Sequence, residues 1–213
     1  MALPRRPRGG GDLNETIARA FAVEEAAERE LASVPDWLWD GASLPVPVEE
    51  IVDSHYGLRV REGSELASLA GLASGSTVSG LLLPDVKEIW VDAGEARVAP
   101  PRRRFTVGHE LGHWVLDCRL GAAWSGEVVH CRSSQVREQA AAPEPEDEHA
   151  RAPAEYPPPE LDANQFAAAV LMPRELVLRE HDRVRGDERK LCDAFRVSGL
   201  AMQRRLWFLS IPR

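Results

Sequence analysis

Residues 104–118 read RFTVGHELGHWVLDC. Between Arg104 and Asp117 the only ionisable side chains are His109, Glu110 and His113, set among apolar residues and two glycines, Gly108 and Gly112. A helix that is apolar on nearly every side is buried on nearly every side. Ionisable groups buried in that way are costly unless they are paired or bound to a metal. The spacing favours a metal. His109 and His113 are one turn apart on the same face, with Cβ atoms about 5–6 Å apart. Two imidazole nitrogens so placed can meet one zinc ion at about 2.0–2.1 Å. Glu110 lies about 100° further round, at 3.6 residues per turn. It stands beside the ion, where a general base for an attacking water belongs. The rival reading, two core histidines and a hydrogen-bonded glutamate, must absorb the same desolvation cost without an ion.

The pattern His-Glu-x-x-His is a zincin signature. A catalytic zinc takes three protein ligands, so a third must come from elsewhere. The position six beyond His113 is Arg119, which excludes the metzincin pattern with its third histidine there. The candidates are Asp117, Glu127, His130, Glu155, Glu160 and Asp162. Glu160 is best placed. It opens the segment ELDANQFAAAVLMP, whose small and apolar stripe Ala163, Ala167, Val170 extends back to Glu160 by one turn. A helix lined with alanines can lie close against another. Asn164 faces the same way and can orient a ligand. Asp162 points about 200° away from Glu160, so at most one of the two ligates, and Asp162 is the weaker candidate.

The remaining chain must position these residues. A helix is expected from Asp12 to about Val34, with a thin apolar stripe that packs weakly or extends from the core. Pro35–Pro47 reads as an irregular connector. A short helix, Val48–Tyr56, closes at Gly57. Leu58–Val60, Leu81–Leu83 and Ile89–Val91 read as strands, the last two paired through a turn at Pro84–Asp85. The active-site helix runs from Arg104 to about Cys118, and the second buried helix from about Glu160 to Pro173. Residues 174–213 read as helical with a turn at Val197–Gly199. The expected fold is therefore α+β, a small sheet packed on helices. Residues 1–11 read as disordered, 12–44 as an N-terminal helix and connector, and 45–213 as the main domain, with a Pro/Glu-rich solvated loop at about 139–159.

Composition limits the function. Of 213 residues 44% are hydrophobic, and the formal net charge is −8, which does not attract nucleic acid to the molecule as a whole. No apolar run approaches the roughly 20 residues that span a bilayer, and the Arg-rich N-terminus lacks the apolar core of a secretory signal. Three scattered cysteines, Cys118, Cys131 and Cys192, make no disulfide framework and fit a reducing cytoplasm.

Taken together, RFTVGHELGHWVL, the preceding KEIWVDA and the following ELDANQFAAAVLMP resemble the ImmA/IrrE family of bacterial metallopeptidases. PVEEIVDSHYGLRV and the closing FRVSGLAMQRRLWFL extend the resemblance over residues 45–211. It implies a cytoplasmic zinc endopeptidase that cleaves a helix-turn-helix repressor of the XRE type and so derepresses stress-response or mobile-element genes. It implies His109, His113 and Glu160 as metal ligands, with Zn²⁺ or another divalent ion such as Mn²⁺, and Glu110 as the catalytic base. The long Pro/Glu-rich segment and the N-terminal helix depart from that pattern.

Other features receive plainer readings. Cys118, His130 and Cys131 match no standard metal spacing. His130, Tyr156 and His181 are unranked candidates for stabilising an oxyanion. Arg102, Arg103 and Arg104 oppose the helix dipole and read as a solvated turn. The segment DERKLCDAFRVSGLAMQRRLWFL resembles a helix-turn-helix, which makes a DNA- or protein-binding regulatory module the main alternative. Phe195, Val197, Leu200, Met202, Leu206 and Phe208 read more naturally as packing.

Overall fold

The computed structural model describes residues 11–71, 78–119, 130–133 and 158–211. The expectations for residues 1–10, and for most of the loop at 139–159, lie outside the described residues. The helices are α1 (Gly11–Ala32), α2 (Val48–Ser54), α3 (Leu66–Leu69), α4 (Ala93–Val98), α5 (Pro100–His113), α6 (Pro158–Leu171), α7 (Arg174–Val184), α8 (Glu188–Phe195) and α9 (Gly199–Phe208). The strands are β1 (Arg59–Gly63), β2 (Val78–Leu83), β3 (Glu88–Asp92) and β4 (His130–Ser133). The expected α+β class holds.

The described strands form one sheet in the order β1-β3-β2-β4. β2 and β3 pair antiparallel across a single tight turn at Pro84–Val86, where Lys87 takes the left-handed conformation. β1 joins β3 in parallel, and β4 joins β2 antiparallel. β3 alternates in burial, with Ile89 and Val91 turned inward. That inner face and Leu82 of β2 pack in one core with Val107 and Leu111 of α5, with Val115 just beyond it, and with Phe166 and Val170 of α6. Leu191, Phe195, Met202 and Leu206 close the same core from α8 and α9.

α1 corrects an expectation. Its apolar stripe is indeed thin, yet it does not pack weakly. Val23, Ala26 and Ala27 are buried, and Val23 and Ala27 belong to the main core. The missing attraction is supplied by charge. Arg205 of α9 is 1% exposed and Glu24 of α1 is 2% exposed. Arg205 Nη1 and Nη2 donate to the two Glu24 oxygens at 2.6 and 2.5 Å, and its Nε donates to the Met172 carbonyl at 2.8 Å. Gln165 of α6 donates to the same carboxylate at 3.0 Å. A fork-on-fork pair with its remaining sites filled is the arrangement in which a buried ion pair recovers its desolvation cost.

The arginine run 102–104 also departs from a solvated turn. Arg103 grips both oxygens of Glu49 in α2, at 2.9 and 2.8 Å, and reaches Glu62 of β1 at 2.5 Å. Arg104 donates to the Val46 carbonyl at 2.7 Å. The cost of cations at a helix N-terminus is offset by partners on neighbouring elements, and the start of α5 is tied to α2 and β1.

Truncating one member of the Glu24–Arg205 pair leaves the other charge buried. Arg205→Ala is expected to lower unfolding stability by about 3–5 kcal/mol, read by urea denaturation. Arg205→Met combined with Glu24→Leu should recover most of that loss.

Candidate metal centre

α5, the helix that carries the His-Glu-x-x-His segment, is buried continuously from Thr106 to His113. Its two glycines face α6. A Cβ added at Gly112 would lie 3.0 Å from Ala163 Cα and 3.2 Å from the Ala163 carbonyl oxygen. One added at Gly108 would meet Ala167 Cβ at 3.4 Å, an ordinary contact. The two helices therefore come close beside His113, where Gly112 faces the Ala163 backbone and the Phe166 Cβ of α6. α6 begins at Pro158, two residues before Glu160, so Glu160 sits in its first turn and reaches the histidine pair.

Three donor groups converge. The two Nε2 atoms are 3.1 Å apart, and the Glu160 oxygens lie 3.3 Å from His109 Nε2 and 3.3 Å from His113 Nε2. A tetrahedral ion with bonds of about 2.0–2.1 Å holds its donors about 3.3–3.4 Å apart. The group fits such an ion and could hold one. Both imidazoles are fully buried, whereas the Glu160 side chain is 23% exposed, so solvent reaches the centre from the α6 side.

Each ring is oriented from behind. His113 Nδ1 donates to Asp117 Oδ2 at 2.7 Å, and His109 Nδ1 donates to Asn164 Oδ1 at 3.1 Å. Placing the Nδ1 protons on these acceptors turns both Nε2 lone pairs toward the common centre. Asp117 arrives by a local change in the helix. After His113 the chain widens into a π-helical turn, Trp114–Arg119, a form often found at functional sites. Asp117, a candidate ligand by residue type, stands behind the ring instead. Its spacing of four from His113 is the signal for that role.

Asp162, the other acidic candidate on α6, is engaged elsewhere. Arg19 of α1 grips both of its oxygens, with Nε donors at 2.9 and 2.7 Å and Nη2 at 2.6 Å. Sequence alone could not find this partner, 143 residues away. Glu127, Glu155 and Tyr156 lie outside the described residues, as do the side chains of His130 and Cys131. His181 lies near the end of α7, with its ring against Gly186. Burial and the Asp117 charge push the Cys118 thiol up to about 11, so it is held as an unreactive thiol.

Burial disfavours charge on His113, but its hydrogen bonds to Asp117 and Glu160 and the nearby Glu110 charge outweigh it and raise the imidazole to about 9. Burial likewise opposes ionisation of Glu160, and its two histidine partners reverse that, holding the carboxyl well below the usual carboxylate range.

The model of the IrrE N-terminal-like domain, peptidase family M78, matches residues 95–206, just over half of the chain. The chain belongs to the M78 peptidase family. The match runs from α4 to α9 and so includes the histidine pair and Glu160 within one family domain. Among solved structures, this M78 chain is similar in fold to a Mycobacterium tuberculosis transcriptional regulator, with a TM-score of 0.51 and 18% identity. That similarity covers 92% of this chain and 48% of the other, so the chain spans about half the length of the regulator. No curated protein sequence matches it significantly.

Two measurements test the centre. Gly112→Ala must move α6 by a few tenths of an ångström and should weaken metal affinity at least about 10-fold in chelator competition, whereas Gly108→Ala should change it little; Asp117→Ala should cost about 10–100-fold. Because His113 is protonated up to about pH 9 in the metal-free protein, metal must displace that proton. Affinity should therefore rise with pH between about 6 and 9, and calorimetry in buffers of different ionisation enthalpy should record proton release.

Proposed function

We propose that the chain is a zinc-dependent endopeptidase in which His109, His113 and Glu160 hold the ion and Glu110 is the general base. The observation that carries this reading is the convergence of three donors, 3.1–3.3 Å apart, on the buried helix that also presents Glu110. Zinc at this site supplies Lewis acidity, acidifying a water and polarising a peptide carbonyl. Glu110 takes a proton from the attacking water and delivers it to the leaving amine as the C–N bond breaks. Asp117 and Asn164 hold the Nδ1 protons and keep both Nε2 atoms directed inward. Glu160 offers its carboxylate from an independent helix. The same donors also suit Mn²⁺.

Membership of a peptidase family supports a protein substrate. The resemblance of the motifs to ImmA/IrrE proteins, and a fold shared with a transcriptional regulator, support a helix-turn-helix repressor as that substrate in a cytoplasmic setting. Among the described residues no helix is long and apolar enough to cross a membrane. We take residues 45–213 as the peptidase domain, with α1 and its connector buttressing it.

The alternative of DNA binding through α8 and α9 meets a physical obstacle. Arg205 is consumed by Glu24, and Phe195, Val197, Met202 and Leu206 are buried in the core. Arg204 alone of that arginine pair faces solvent.

Glu110→Gln should retain one zinc per chain and lower cleavage of the co-expressed repressor by at least about 100-fold. A variant that cleaves at the parental rate would remove Glu110 from the mechanism. An effect on gene expression that survives the substitution would favour a binding module over an enzyme.

A further inference from the structure

Glu110 is fully buried, and the wall it faces is a strand. Gly80 of β2 lies against it. A Cβ built on Gly80 would sit 2.6 Å from Glu110 Oε1 and 3.3 Å from its carboxyl carbon, and would also collide with Thr106 Cγ2 one turn back along the active-site helix. Backbone conformation does not require glycine at this position, since Gly80 is absent from the positive-φ residues. The requirement is for space. Glycine in the middle of a strand forfeits side-chain packing and marks places where another group comes close.

The strand is irregular at the same point. Val78 pairs with Ser133 and Gly80 with Arg132, so β2 carries one extra residue, Ser79, between consecutive partners on β4. Such a bulge bends the strand and re-aims the side chains beyond it. Gly80 and Leu82 then share one face of β2, and Leu82 is in the core with Val107 and Leu111. The bulge and the missing side chain thus occur together, opposite the carboxylate.

We infer that Gly80 is a positioning residue for the reaction: its bare backbone forms the seat that fixes the Glu110 carboxylate beside the metal ligands. The catalytic part of this inference rests on the peptidase reading above; the seat itself rests on the contact. A side chain at position 80 crowds both Thr106 Cγ2, 2.4 Å from the built Cβ, and the carboxylate at 2.6 Å; with the threonine methyl removed, the carboxylate is what must give way.

The test uses the full chain with Thr106→Ser as parent, which removes the competing methyl contact. Gly80→Ala is added to that parent and to the parent carrying Glu110→Ala. In metal-free thermal unfolding, the added methyl should lower Tm by about 4 °C or more when Glu110 is present, and by less than half as much when it is alanine. Zinc stoichiometry should stay at one in every variant. On a cleaved repressor, Gly80→Ala should lower kcat by about 100-fold or more with little change in KM. Equal Tm losses in the two backgrounds overturn the proposal, and so does an undiminished kcat. A parent that cleaves nothing removes the peptidase reading alone, and the Tm comparison still decides whether Gly80 seats the carboxylate.

Discussion

The close approach of two helices, Gly112 of one against Ala163 of the other, is the constraint on which the site depends. Gly112 lies so near Ala163 that a single added carbon would crowd its backbone. Only at that separation can a carboxylate in the first turn of α6 come within 3.3 Å of both imidazoles of α5. The two histidines are fixed relative to each other by helical pitch, but nothing local fixes the third group. Its position is a tertiary quantity, set by how closely Ala163 and Ala167 let the helices pack. The spacing of the three donor groups is thereby decided by residues that offer no donor atom.

Distance alone does not hold α6 in place. α1 grips it at two heights, through Arg19 on Asp162 and through Gln165 on Glu24. Glu24 in turn carries the buried guanidinium of Arg205, which joins the N-terminal helix to the last one. The match to the family domain begins at residue 95, yet the cluster that steadies Glu160 draws on residues 19 and 24. The start of α5 is tied down separately, by Arg103 on Glu49 and Glu62. Both helices of the candidate metal centre are therefore braced by charged contacts from elements that contribute none of its three donors.

Legibility in the sequence depends on the range of each interaction. The HExxH spacing, the alanine stripe leading back to Glu160 and the alignment of Asn164 with it are consequences of helical period, readable within one segment. The class of fold and the paired strands around Pro84 are legible for the same reason. Glu24 and Arg205 are not: each looks like an ordinary surface charge, and the pairing exists only after residues 181 apart meet. The thin stripe of α1 reads as weak packing because apolar periodicity cannot register a buried ion pair. Gly80 is invisible as well, since a glycine in a short apolar run carries no mark of the carboxylate that will face it. The widening of the chain into a π-helical turn at Trp114–Arg119 has no periodic signature either, although the spacing of four between His113 and Asp117 is itself readable.

X-ray absorption at the zinc edge on the purified full chain probes the donor set directly. One zinc per chain is expected, with two imidazole nitrogens and carboxylate oxygen at about 2.0–2.2 Å and no sulfur, and with a spectrum that changes when Glu160 is replaced by alanine. A sulfur shell, fewer than two imidazoles, or a spectrum indifferent to Glu160 would contradict a centre built from two helices.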